Sequence, residues 1–264
     1  MSLKSLARDL APPFIWRGAS AAKRALSKPP PPAPVYGHSG DYRTFDEALA
    51  ASTGYDCDEA VAYAMRETMA IDQQRCSHAA MRLLAAIEYA YIRSGALRVL
   101  DFGGGLGGHY LIAKAHVPVE SWTVCELPRM AKIGRKHWAG DKTISFTDRI
   151  QDQRPTIVLA SGSLQYCRDP YSVLALLIAL KANFVILDRL PIMTRQRLTV
   201  QLVPPHLFGG SFPAWFLEEE KVCATLHGYA LTLQWRLPEH VAQIDGQLHD
   251  VYRGMLLSCT THLR

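Results

Sequence analysis

The run VLDFGGGLGGHY, residues 99–110, ends an aliphatic stretch in an acid and then places glycine at five of the six positions from 103 to 108. Glycine lets backbone approach a ligand closely, and an apolar strand feeding such a loop is the usual frame of a nucleotide-type cofactor site. Two ligand classes fit the spacing. Gly103, Gly105 and Gly108 satisfy the G-x-G-x-x-G of dinucleotide sites. Asp101, Gly103, Gly105 and Gly107 satisfy D-x-G-x-G-x-G, a loop that holds S-adenosylmethionine. The acid at the strand end favours the second ligand, because a carboxylate repels pyrophosphate and suits a ligand carrying an ammonium and a sulfonium.

Further candidates stand at the ends of the following apolar runs. Glu126 closes the second run, 25 residues after Asp101, and suits a pair of ribose hydroxyls, which both cofactor classes present. Asp148 closes the third and is expected to meet an adenine amino group. Ser161, Gly162 and Gln165, in SGSLQY after the fourth run, are expected at the methionine end of the cofactor, the alternative being an ordinary strand-to-helix turn. Tyr166 reads as a packing residue.

Asp188 and Arg189 end the fifth run. Methyl transfer to oxygen or nitrogen needs an acceptor held in line and a base for its proton. Asp188 suits that base and Arg189 suits an anionic acceptor; a structural salt bridge is the competing reading. His109, just past the glycine loop, is a second candidate base or a contact for the cofactor carboxylate, against the reading of a solvated first-turn residue. Thr199, Gln201 and His206, with Trp215 and Phe216, fall in an irregular segment, residues 190–217, and offer hydrogen bonds and aromatic faces to a sugar-like acceptor. The two aromatics suit a core equally well. The ten histidines lack a tight ligand spacing, so no metal site is expected.

The elements that must position these residues alternate. LRVLDF, SWTVCEL, TISFTD, TIVLASG and NFVILDR read as strands separated by helices, and ALTLQWRL and YRGMLLSCT read as a closing antiparallel hairpin. This predicts an α/β, Rossmann-like fold with a mostly parallel seven-stranded sheet. Upstream, Thr44 and Glu47 form a capping box, Asp56 repeats the device, and Ser77 opens a helix with apolar residues at 80, 84, 87 and 91 that Gly95 ends. Asp169 and Pro170 open another helix. Three parts are expected: a basic arm with a Pro-rich linker over 1–35, a helical extension over 36–96, and a cofactor-binding domain over 97–264.

The strings GHSGDYRTFDEALAASTGYD, LDFGGGLGGHY, VCELP, SGSLQYCRDP, VILDRLPI and FPAWF, taken in order, resemble a bacterial family of class I S-adenosylmethionine-dependent methyltransferases often associated with surface-polysaccharide gene clusters. The resemblance spans roughly residues 36–260. It implies a class I methyltransferase fold and S-adenosyl-L-methionine as cofactor. It also implies O-methylation of a polar small molecule or glycan, such as a bacterial glycan or its lipid-linked precursor. It carries no settled catalytic residue. A non-catalytic S-adenosylmethionine-binding partner subunit and an NAD-dependent sugar-modifying oxidoreductase remain the rival readings.

Composition narrows the setting. Hydrophobic residues at 48% and charged residues at 20% describe a globular protein with a sizeable core. Six cysteines without a C-x-x-C pair suit a reducing, cytoplasmic compartment. The net charge of +5 equals that of residues 1–28 alone, so the remainder is balanced and no nucleic-acid partner is expected. Within that arm, Leu3, Leu6, Ala7, Leu10 and Phe14 recur at helical spacing among cations. The combination suits contact with an anionic membrane surface at the inner face of the cell membrane. A basic tail, a segment packed on its own domain and a targeting peptide stand beside that reading.

Overall fold

The computed structural model of the chain describes residues 36–54, 58–71, 77–151 and 153–262. The basic arm and linker of residues 1–35, and the cap expected at Asp56, lie outside the described residues.

The chain opens with a short strand, β1 (Tyr36–Ser39), and three helices: α1 (Phe45–Ala50), α2 (Asp58–Met69) and α3 (His78–Ser94). The capping chemistry expected for α1 is present, with Thr44 Oγ1 accepting from the Glu47 N–H and the Glu47 carboxylate accepting from the Thr44 N–H. Ser77 caps α3, and Gly95 ends it in the left-handed conformation at φ 67°.

Alternation then begins: β2 (Arg98–Phe102), α4 (Gly108–Lys114), β3 (Ser121–Cys125), α5 (Pro128–His137), β4 (Ile144–Thr147), β5 (Ile157–Ser161), a single 3₁₀ turn (Leu164–Tyr166), α6 (Pro170–Ile178) and β6 (Phe184–Met193). The rest is largely β: β7 (Arg197–Leu202), β8 (Ser211–Glu218), α7 (Glu219–Thr225), β9 (Tyr229–Arg236), β10 (Ala242–Ile244), β11 (Gln247–His249) and β12 (Tyr252–Cys259).

The seven strands expected from the sequence form one continuous stretch of sheet in the order β4-β3-β2-β5-β6-β12-β9. The first five are parallel, and β12 runs antiparallel between β6 and β9. Strand residues alternate between two cores. Val99, Leu159, Ile186 and Leu256 pack under α3, α4 and α5, while Leu100, Val158, Val185 and Leu257 pack under α6 and α7. Both faces are covered, which is why these strands read as unbroken apolar runs. The result is an α/β, Rossmann-like layered fold.

Three expectations need correction. Among the described residues the sheet has twelve strands rather than seven. The segment expected as an irregular insert over 190–217 is instead the end of β6 followed by the antiparallel pair β7–β8. Strand β1, in a segment expected to be helical throughout, pairs with β7 and β10. With β11 these strands form an auxiliary sheet that joins the main one through the far end of β6, where Ile192 and Met193 pair with Leu217 and Glu218 of β8. Among the described residues no helix is long and apolar enough to cross a membrane.

Candidate active site

The carboxyl ends of β2 to β6 converge on the glycine loop. Gly103, Gly105 and Gly107 all have positive φ, at 70°, 59° and 89°, a conformation that side chains rarely adopt. Gly104 is constrained differently: a Cβ there would lie 2.2 Å from a carboxylate oxygen of Asp101. The loop is braced from three sides. Gly105 N–H donates to Glu126 Oε1 at 2.9 Å, Gly103 N–H to the Cys125 carbonyl at 2.9 Å, and Trp138 Nε1–H to the Leu106 carbonyl at 2.8 Å.

Two cavities flank this loop, and Gly103 lines both. One, of about 580 Å³, is lined by Glu126, Leu127, Asp148, Ile150, Gly162 and Phe212 among others. Glu126 accepts from the Gly105 and Leu127 N–H groups, one on each oxygen, which leaves a lone pair on each for a further donor. Burial pushes its carboxyl above the usual range, the buried Asp101 adds to the rise, and the two backbone N–H bonds oppose it. Asp148 is exposed at the rim. Cys125 and Cys167 also line this cavity; burial pushes their thiols up to about 11 and about 12, so neither is a nucleophile at neutral pH.

The second cavity, of about 470 Å³, is lined by Gly105, His109, Ser161, Asp188, Arg189 and His240, with Glu67 and Thr68 of α2. Asp188 is 3% exposed, and both its oxygens are engaged. Oδ2 accepts from Ser161 Oγ at 2.8 Å and Oδ1 from Trp235 Nε1 at 2.9 Å. Trp235 reaches it from β9 across β12, lying over Gly254, where any side chain would collide with the indole. Arg189 holds φ +50°, a strained value for a non-glycine residue. Its guanidinium donates to Ser161 Oγ at 3.1 Å and to the Ser161 carbonyl at 3.2 Å, and its own carbonyl accepts from Gln165 Nε2 at 3.4 Å. Asp188, Ser161 and Arg189 are thus one hydrogen-bonded unit.

The structure places the sequence candidates in three groups. Gly103, Glu126, Asp148 and Gly162 line the first cavity; Gly103, Gly105, His109, Ser161, Asp188 and Arg189 line the second. The remainder line neither. Asp101, expected to face the ligand, is fully buried beneath the loop, held by Trp122 Nε1 at 3.2 Å and His109 Nδ1 at 3.1 Å. Gly107 is the N-cap of α4, and Gln165 supports Arg189 from within the core.

The three acceptor candidates belong to the auxiliary sheet. Thr199 is fully buried, its hydroxyl donating to the Ala214 carbonyl and contacting His38 Nδ1. Gln201 is 3% exposed and accepts from Tyr166 Oη at 2.9 Å; His206 sits in an exposed turn. Thr199 and Gln201 line neither cavity because residues 197–202 form a paired strand and not an open loop; Gln201 lies behind Tyr166, which lines the first cavity.

His240, between β9 and β10, was not singled out from the sequence, since its approach to Arg189 depends on the long-range β9–β12–β6 pairing. Burial lowers its imidazole below the ordinary value, and the Arg189 charge adds to the fall, so it stays neutral near pH 7.

Neither a family model nor a curated protein matches the chain. Solved structures similar to it include the amino pentose methyltransferase CalS10 from Micromonospora echinaspora with S-adenosylmethionine bound. It is 15% identical over 76% of this chain and 97% of that one, with a TM-score of 0.46. A second is 1,6-didemethyltoxoflavin-N1-methyltransferase from Burkholderia thailandensis with S-adenosylhomocysteine, 19% identical over 76% and 88%, with a TM-score of 0.45. A third is the glycopeptide N-methyltransferase MtfA, 15% identical over 66% and 89%, with a TM-score of 0.46.

Proposed function

We propose that the chain is a class I S-adenosylmethionine-dependent methyltransferase that methylates a hydroxyl of a small polar acceptor. The observation that carries this reading is the pair of cavities meeting at Gly103. One is edged by two strand-end acids, Glu126 and Asp148; the other holds the Ser161–Asp188–Arg189 unit. A ligand with an adenosine end and an amino-acid end fits that division. In this reading Glu126 accepts the ribose hydroxyls, Asp148 meets the adenine amino group, and Gly103, Gly105 and Ser161 border the amino-acid end. When bound, the cofactor supplies an electrophilic methyl group on a sulfonium.

The protein's own work is then positioning. Arg189, whose side chain is 38% exposed, presents a fixed guanidinium to the second cavity, suited to orienting an acceptor that carries an anionic or hydroxyl group. Asp188 holds Ser161 and, through it, Arg189. A bacterial surface glycan or its lipid-linked precursor as acceptor is supported by the motif resemblance alone, and a cytoplasmic setting by the cysteine usage alone.

The test is calorimetry of the full chain with S-adenosylhomocysteine, S-adenosylmethionine and NAD, with mass spectrometry of the small molecule that co-purifies. Adenosyl ligands are expected to bind and NAD to bind far more weakly. Preference for NAD overturns the proposal.

A further inference from the structure

Asp101 is fully buried, and a carboxylate in that position must be hydrogen-bonded to persist. Trp122 Nε1–H, a donor only, bonds Oδ2 at 3.2 Å. The other contact is His109 Nδ1, 3.1 Å from Oδ2 and 3.2 Å from Oδ1. An ionised carboxylate accepts only, so Nδ1 carries the proton of that bond. The bare nitrogen of a neutral His109 is then Nε2. His109 lines the second cavity beside Ser161 and Arg189, with 16% of its side chain exposed. Among the described residues, none hydrogen-bonds to Nε2. The charged and titratable groups that line the same cavity are Asp188 and Arg189 from β6, His240 from the β9–β10 connection and Glu67 from α2. Asp188 is 3% exposed and its carboxylate already holds Ser161 and Trp235, whereas His109 turns a more exposed ring toward the cavity, so of these two His109 is the better-placed proton acceptor.

We propose that Asp101 and His109 form a proton-accepting dyad, with His109 Nε2 as the base for the acceptor hydroxyl and Asp101 as its positioning residue. This rests on the methyltransferase reading. As the acceptor oxygen bonds to the methyl carbon, the carbon–sulfur bond breaks with its electron pair going to sulfur. The hydroxyl proton passes to Nε2, giving an imidazolium that the Asp101 carboxylate stabilises, and then leaves to water. Sequence spacing alone pairs these residues poorly, because Asp101 belongs to a strand and His109 to the following helix; the loop folds the helix back over the acid.

The test reads the free protein. Nitrogen-15 NMR of the full chain labelled at histidine should show His109 protonated at Nδ1 and bare at Nε2, with the signal assigned by its loss in His109→Asn. In Asp101→Asn that tautomer preference should be lost. Diethyl pyrocarbonate should modify His109 in the wild type, located by peptide mapping, and more slowly in Asp101→Asn. Protonation at Nε2, or a His109 that the reagent does not reach, overturns the dyad whether or not the variants fold. Calorimetry with S-adenosylhomocysteine on the same sample separates the two readings. A bare Nε2 without adenosyl binding removes the methyltransferase reading and leaves the dyad; binding with a protonated Nε2 does the reverse.

Discussion

Replacing Glu126 by alanine tests the cofactor assignment most directly. Its carboxylate anchors two backbone donors, Gly105 N–H and Leu127 N–H, each at 2.9 Å. In the proposed complex it also accepts from the ribose. Hydrogen bonds to a charged group contribute about 1.5–3 kcal/mol, so Glu126→Ala should weaken S-adenosylhomocysteine binding by about tenfold to 150-fold. The expected loss of fold stability is small, because Gly105 and Leu127 lie at the cavity wall, where water can replace the lost acceptor.

A pH dependence follows from the raised carboxyl of Glu126, whose first cause is burial. Ribose donors favour the ionised form, so binding must expel whatever proton Glu126 carries. Affinity should therefore fall as pH drops into the range where Glu126 protonates, with proton release seen as a buffer-dependent binding enthalpy. In Glu126→Gln that proton release should vanish. Equal affinity of wild type and alanine variant by calorimetry would refute the assignment of Glu126 to the ribose.

Gly104→Ala sets a methyl group against the Asp101 carboxylate, so the loop must shift; thermal unfolding should drop by the equivalent of about 1–3 kcal/mol and S-adenosylhomocysteine affinity should fall with it. In His109→Asn the side-chain amide can still donate to Asp101, but Nε2 is gone. On any acceptor that the wild type methylates, kcat should fall by about 10²–10⁴ with KM and cofactor affinity kept, and full turnover would return His109 to a bracing role. His38 is lowered from 6.5 to about 4 by burial and then by the Arg197 charge, so the folded state holds it neutral. Its stabilising contribution is present above 6.5 and is lost as pH falls toward about 4, on the order of 3 kcal/mol, so chemical denaturation of wild type should show a steeper acid loss than His38→Asn.

The seven-stranded sheet is legible in the sequence because its central strands are buried on both faces. Strict apolar–polar alternation is absent there, and runs such as VILD in β6 are apolar almost throughout. The helix starts at Thr44, Ser77 and Asp169 are legible because each cap is a local hydrogen bond between residues three apart. The auxiliary sheet is hidden by its prolines and by its brevity. Strand β8 contains Pro213, which ordinarily argues against a strand. It is tolerated because β6 pairs only with Leu217 and Glu218, so the missing N–H faces no partner strand. Strand β1 has four residues and no apolar alternation to betray it. At the site, spacing identified the acids at the strand ends but not which way each carboxylate faces. Trp122, 21 residues from Asp101, is what holds that acid beneath the loop, and nothing local to either residue announces the bond.

The pairing of β1 also bears on how the protein is made. His38 lies beside Gln201 of β7 and Ile244 of β10, the latter roughly 200 residues further along the chain. During synthesis β1 leaves the ribosome well before either neighbour exists, whereas β2 and β3 are close in sequence and can pair early. Strand β12, which lies between β6 and β9 of the main sheet, emerges later than β10 and β11, so the main sheet is itself incomplete until the last of the described strands has been made. Until β7 emerges β1 carries two unmatched backbone edges, and until β10 emerges it still carries one, which leaves the nascent chain open to pairing with the wrong partner.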